Sequence, residues 1–115
     1  TQFISHMAEI IDIHDAKRMM DTETVILVDI RDPQSYDSGH IQNAVLVNQS
    51  NIESFLKNSN FATPLICYCY HGISSQQAAD YFQQTGFQKV YTVSGGFEEW
   101  RTVYPFTREN KNSAS

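Results

Sequence analysis

The sequence predicts a single α/β domain with a mostly parallel central sheet and helices on both faces. Three observations predict it. Strand-like runs alternate with helical ones along the chain, the signature of repeated β–α units. The run "TVILVDIRD" is a continuous apolar, largely β-branched stretch, as in a strand covered on both faces. The length, 115 residues, suits one domain with a modest core. We expect the domain over residues 10–105, a leader or a first strand over 1–9, and a flexible polar tail over 106–115.

Composition narrows the function classes. Hydrophobic residues make up 41% and charged residues 18%, and the formal net charge is -5. Such a chain is globular, and its acidity argues against nucleic acid as a partner. An anion site must be built locally, because the overall field does not attract anions. No run is long enough to span a membrane, and no secretory pattern appears. Cys67 and Cys69 are separated by one residue. In a strand their Cα atoms lie roughly 6.5–7 Å apart, the outer edge of disulfide geometry. A reducing cytoplasm is the expected location. Two cysteines and four scattered histidines have no metal-ligand spacing, so no zinc site is expected.

The elements follow in order. "EIIDIHDAKRMMD" reads as a short strand and a helix, with Asp12 as N-cap, Asp15 in the first turn, and Met19 and Met20 as packing residues. "TVILVDIRD" is the strongest strand, and Asp29, Arg31 and Asp32 gather at its C-terminal end. Asp32-Pro33 opens a short helix, with Asp as N-cap and Pro at the first helical position. Ser38 to Ile41 is a loop and "AVLV" a short strand. "SNIESFLKN" is a helix in which Ser50 and Glu53 are spaced as a capping box. "PLICYC" is a strand, followed by the helix "SSQQAADYFQQTG" with Ala78, Ala79 and Phe82 on one face and Gly86 as its stop. "KVYTV" is the last strand, and "SGGFEEW" turns into a helix that packs Phe97 and Trp100 inward. In parallel sheets of this kind, sites lie at the carboxyl ends of strands. The Asp29-Arg31-Asp32 cluster and the Cys69–Ser75 loop both sit at predicted strand ends, so one shared rim is the expectation.

The loop is "CYHGISS", Cys69 to Ser75. Gly72 permits backbone conformations closed to other residues. A tight turn there points successive N–H groups inward as an anion nest. The helix starting near Ser74 adds its unpaired N–H groups and the positive end of its dipole. A thiol in that cradle is held as thiolate, the nucleophilic form, well below the roughly 8.5 of a free cysteine. The plain alternative is an inert buried cysteine in a strand–turn–helix connection.

"CYHGISS", with "VDIRDPQSYDSGHI" upstream and "GGFEEW" downstream, resembles the rhodanese family from about Ile10 to Pro105. The three motifs in this order are specific where each alone is weak. The resemblance implies a thiosulfate sulfurtransferase. Its cysteine takes sulfane sulfur from thiosulfate or another donor, holds it as a persulfide, and passes it to cyanide or to a thiol acceptor such as a thioredoxin-like protein. No metal or organic cofactor is implied. Carried over residue by residue, Cys69 holds the persulfide. Tyr70, His71, Gly72, Ile73 and Ser74 form the rest of the loop, mainly through backbone N–H groups, and the Ser74 and Ser75 hydroxyls are further donors. Asp29 and Asp32 read as structural. Arg31 either pairs with a neighbouring acid or faces the site as an anion contact. His40 reads as a loop brace, His71 as an outward residue or a general base, and Gly95, Gly96 and Trp100 as turn and packing residues. Cys67 reads as buried and inert.

One departure stands out. The loop has no Arg or Lys to meet the sulfonate of thiosulfate, so thiosulfate is expected to bind weakly. Two other classes compete. Cysteine phosphatases need C-x5-R, and here the sixth residue after Cys69 is Ser75. A sulfur carrier or rhodanese-like interaction module would use the same cysteine with little small-molecule turnover.

Overall fold

The computed structural model describes residues 8–109. The elements, in chain order, are β1 (Glu9–Ile11), α1 (Ile13–Thr22), β2 (Ile26–Asp29), α2 (Pro33–Ser38), β3 (Val45–Leu46), α3 (Ile52–Lys57), β4 (Leu65–Tyr68), α4 (Ser74–Thr85), β5 (Val90–Val93) and α5 (Gly96–Val103). The five strands form one sheet in the order β1-β5-β4-β2-β3, and every pairing is parallel. This is the predicted α/β class.

Alternation along β4 shows how the sheet is covered on two sides. Ile66 and Tyr68 join one core with Leu27, Val93, Ala16 of α1, and Phe97 and Trp100 of α5. Leu65 and Cys67 join the other with Val28, Val90, and Ala79 and Phe82 of α4; Ile52 and Phe55 of α3 pack against it. All four residues of β4 are buried, so its sequence is apolar on both faces. Met19 and Met20 pack against the first core.

Local signals held at several helix ends. The Asp12 carboxylate accepts from Asp15 N–H at 2.8 Å, and Asp32 caps α2 by accepting from Ser35 N–H at 3.1 Å. Gly86 ends α4.

Two expectations are corrected. The capping box at Ser50 and Glu53 does not form: Asn51 is the N-cap of α3 and makes no side-chain cap bond. Neighbouring amides compete for these side chains instead. Ser50 donates its hydroxyl and its N–H to Asn48 Oδ1, and Asn51 Oδ1 accepts from Asn48 N–H. The tail expected from residue 106 is anchored as far as Glu109. Phe106 packs edge-on against Phe97, Thr107 pairs antiparallel with His40, and Glu109 accepts from His40 Nε2 at 2.8 Å. Residues 1–7, expected as a leader or first strand, lie outside the described residues, and the strand itself begins at Glu9.

Candidate active site

The two motif clusters meet at the C-terminal rim because β2 and β4 are neighbours. Asp29, the last residue of β2, stands beside Tyr68, the last of β4. Cys69 is the next residue, and α4 begins at Ser74. Cys69 is buried and unbridged.

The loop folds its donors onto the sulfur. Gly72 N–H donates to Sγ at 3.1 Å and Ser75 N–H at 3.3 Å, while the Ser75 hydroxyl lies 3.4 Å from it. The His71 N–H also favours the thiolate. Burial alone would push the thiol up. The Ser75 hydroxyl and the Ser75, Gly72 and His71 amides outweigh it and bring the Cys69 thiol below its ordinary value. The sulfur thus takes the place of an N-cap side chain at α4, whose N-cap residue, Ile73, makes no side-chain cap bond.

Glycine makes the turn possible at two points. Gly72 has φ +89, and a Cβ there would meet Gly95 N at 2.9 Å and Val93 O at 3.0 Å. Gly96 has φ +59, and a Cβ there would fall 2.4 Å from Tyr70 O and 2.5 Å from Cys69 O. That close approach lets α5 reach the loop backbone. The first amides of α5 donate back into the loop, Phe97 N–H to Cys69 O at 2.8 Å and Glu98 N–H to Tyr70 O at 2.9 Å. The carbonyls of residues 69 and 70 are therefore tied to α5, while the amides of 72 and 75 face the sulfur.

The structure separates the other expected site residues by role. Tyr70, His71, Ile73 and Ser74 are exposed, with Ile73 at 74%, so these side chains form the mouth of the loop. Arg31 is buried and forks onto Asp29: Nε lies 3.0 Å from Oδ1 and Nη2 2.7 Å from Oδ2. Nη2 also donates to Gly39 O at 2.6 Å. Of the two alternatives for Arg31, pairing with a neighbouring acid is the one observed, and none of its nitrogens is bonded to Sγ. Asp29 accepts Arg31 N–H as well, the loop-holding role expected of it. His40 is buried between the Ile41 carbonyl and Glu109 and stacks on Tyr36 at 3.9 Å, which makes it a brace. Cys67 is fully buried, and burial, with the nearby Cys69, pushes its thiol up to about 12.

Sequence reasoning missed Thr92. This buried β5 residue is the register partner of Cys67, and its hydroxyl lies 2.6 Å from the Ser75 hydroxyl. It completes a chain from Thr92 through Ser75 to the sulfur. No local pattern announces it, because parallel pairing alone brings β5 beside β4.

The fold and the loop together define a class. The rhodanese-like domain profile matches residues 12–102, and the chain belongs to that family. Among its relatives, a protein of Vibrio cholerae named thiosulfate sulfurtransferase GlpE is 50% identical over 91 residues, 78% of this chain and 85% of that one. A GlpE of Pseudoalteromonas translucida is 43% identical over 94 residues, 82% of this chain and 90% of its own. Of solved structures, the rhodanese-like domain of an Anabaena protein superposes with a TM-score of 0.79 at 20% identity, over 95% of this chain and 87% of that one, and speaks to fold alone. A Bacillus halodurans protein gives 0.74 at 29% identity over 88% and 77%.

Proposed function

We propose that the chain is a thiosulfate sulfurtransferase working through a persulfide on Cys69. The observation that carries this reading is the sulfur held by Gly72 N–H, Ser75 N–H and the Ser75 hydroxyl, with its thiol lowered. The naming of relatives at 43–50% identity as thiosulfate sulfurtransferases supports it.

The Cys69 thiolate attacks the outer sulfur of thiosulfate. The S–S bond of the donor breaks, and sulfite leaves with the electron pair. The enzyme then carries Cys69–S–S⁻. Cyanide, or a thiolate, attacks the terminal sulfur and restores the Cys69 thiolate, giving thiocyanate or an acceptor persulfide. Both resting forms of the enzyme are sulfur anions, and one set of fixed N–H and O–H donors serves both without reorganising. Neither step moves a proton or an electron to an external carrier, so the cycle calls for no cofactor. Other sulfane-sulfur donors fit the same step, and a thioredoxin-like protein in the cytoplasm fits the second. Among the described residues no helix is long and apolar enough to cross a membrane.

A carrier role is the second reading, favoured by the missing cation in the loop. One experiment separates them: thiosulfate:cyanide turnover and intact mass after thiosulfate, on wild type and Cys69→Ser. Thiocyanate with a one-sulfur mass gain, both lost in the variant, supports the enzyme. A mass gain without turnover supports the carrier. Neither signal overturns both.

A further inference from the structure

We propose that a second, purely electrostatic site for a small oxyanion lies beside the persulfide loop, in the pocket walled by Arg31, Arg101 and Arg108. The pocket is about 190 Å³ and meets the Cys69–Ser75 loop at one residue, Tyr70. Three of the eight Lys and Arg residues of an acidic chain converge on it. Ser35 and Ser38 of α2 and Phe97 of α5 complete the wall.

Behind this wall lies a buried donor without an acceptor. The Arg31 side chain is 3% exposed. Its Nε and Nη2 are engaged by Asp29 and Gly39 O, but Nη1 is buried without any hydrogen-bond partner among the described residues. A buried guanidinium N–H without an acceptor is costly, and native proteins rarely leave one so. The Tyr68, Tyr70 and Phe97 rings, 5.7, 4.8 and 4.4 Å from Cζ, stabilise the charge of the guanidinium but supply no oxygen acceptor for Nη1.

The other two arginines are exposed. Arg101 pairs with Glu98, one turn back on α5, and Arg108 donates Nε to Ser38 O. Of the acids nearby, Asp29 and Glu98 are paired with Arg31 and Arg101, Asp32 accepts from the Ser35 N–H and hydroxyl, and none of the three lines the pocket. Charge-assisted bonds from guanidinium groups to oxygen are what such a set offers. The volume falls below that of organic-ligand pockets, roughly 300 Å³ upward, which selects a sulfate-, sulfite- or phosphate-sized anion over a nucleotide.

The site does not depend on the persulfide reading, so its test removes the nucleophile. Full-length Cys69→Ser is titrated with sulfite, sulfate and inorganic phosphate at constant ionic strength, with backbone and arginine side-chain NMR signals followed. The expected result is saturable binding, with Kd on the order of 1 mM, that perturbs Arg31, Ser35, Ser38 and Arg101. In Arg101→Gln and Arg108→Gln the affinity falls about fivefold or more, the loss of one charge-assisted bond. A preference for the sulfur oxyanions assigns the site to donor or product, and equal binding of phosphate assigns it to a general oxyanion. No saturable binding, perturbation confined to residues 71–75, or unchanged affinity in both variants overturns the proposal.

Discussion

Cys67 and Cys69 are two residues apart, both buried and both free, yet their surroundings push their thiols in opposite directions. Ser75 stands between them. It turns its N–H and its hydroxyl toward Cys69, and its carbonyl accepts from the Cys67 thiol at 3.5 Å. One sulfur meets donors and is stabilised as an anion. The other lies fully buried in an apolar layer, where burial and the nearby Cys69 push its thiol up to about 12. Burial pushes both thiols up; it prevails at Cys67, and at Cys69 the donors outweigh it. What separates the two cysteines is the set of donors around Cys69, which appears where the strand ends and the helix begins.

The largest effect expected from breaking the contrast is at Cys69. Cys69→Ser should reduce thiosulfate:cyanide turnover to background while preserving the unfolding midpoint within about 1 kcal/mol, because one buried small side chain replaces another. In native protein, iodoacetamide should label Cys69 and leave Cys67 unmodified, read by peptide mass. Labelling of Cys67 at a comparable rate would erase the distinction.

Gly96→Ala tests how α5 holds the loop. Its Cβ would press on the Tyr70 and Cys69 carbonyls, which cannot retreat without breaking the Phe97 and Glu98 amide bonds. The expected cost is about 2–4 kcal/mol in denaturant unfolding, with a parallel loss of persulfide formation in mass spectra. A neutral substitution would mean that the loop holds its shape without this clamp.

Ser75→Ala removes one donor from Cys69 and leaves Cys67 its carbonyl partner, so it sharpens the comparison directly. The Cys69 thiol is lowered in the folded state. The thiolate is thus present above the folded value and lost as pH falls through it, and any stability it contributes is lost in the same direction. Without the hydroxyl the folded value rises, the pH–alkylation curve moves upward, and the rate at pH 7 falls about three- to tenfold. An unmoved curve would place the whole effect on the backbone amides.

How much of this was legible in the sequence depends on the range of the interaction. The β–α alternation, the caps at Asp12 and Asp32 and the Cys69 loop are set within a few residues, and each could be read. The failed capping box at Ser50 shows the limit even at short range, because Asn48 Oδ1 takes both the Ser50 N–H and the Ser50 hydroxyl that the box would use. Thr92 and the His40–Thr107–Glu109 anchor were not legible, since each needs a partner brought close by the sheet or by the returning chain. Arg31 lay between: its neighbour Asp29 was visible, but only the fold shows that the fork closes on it.

The smallest expected effect is at His71, whose ring is exposed and whose backbone N–H is what serves the sulfur. A general base would be needed if the nucleophile rested as a thiol. The donors around Cys69 lower its thiol, and in the proposed cycle sulfite and thiocyanate both leave as anions without requiring a proton. His71→Gln keeps the amide and removes the imidazole, so kcat/KM should change by less than about twofold across pH 6–9. A loss of an order of magnitude, with disappearance of a limb near the histidine range, would restore the base. It would also mean that the amide cradle alone does not set the difference between the two cysteines.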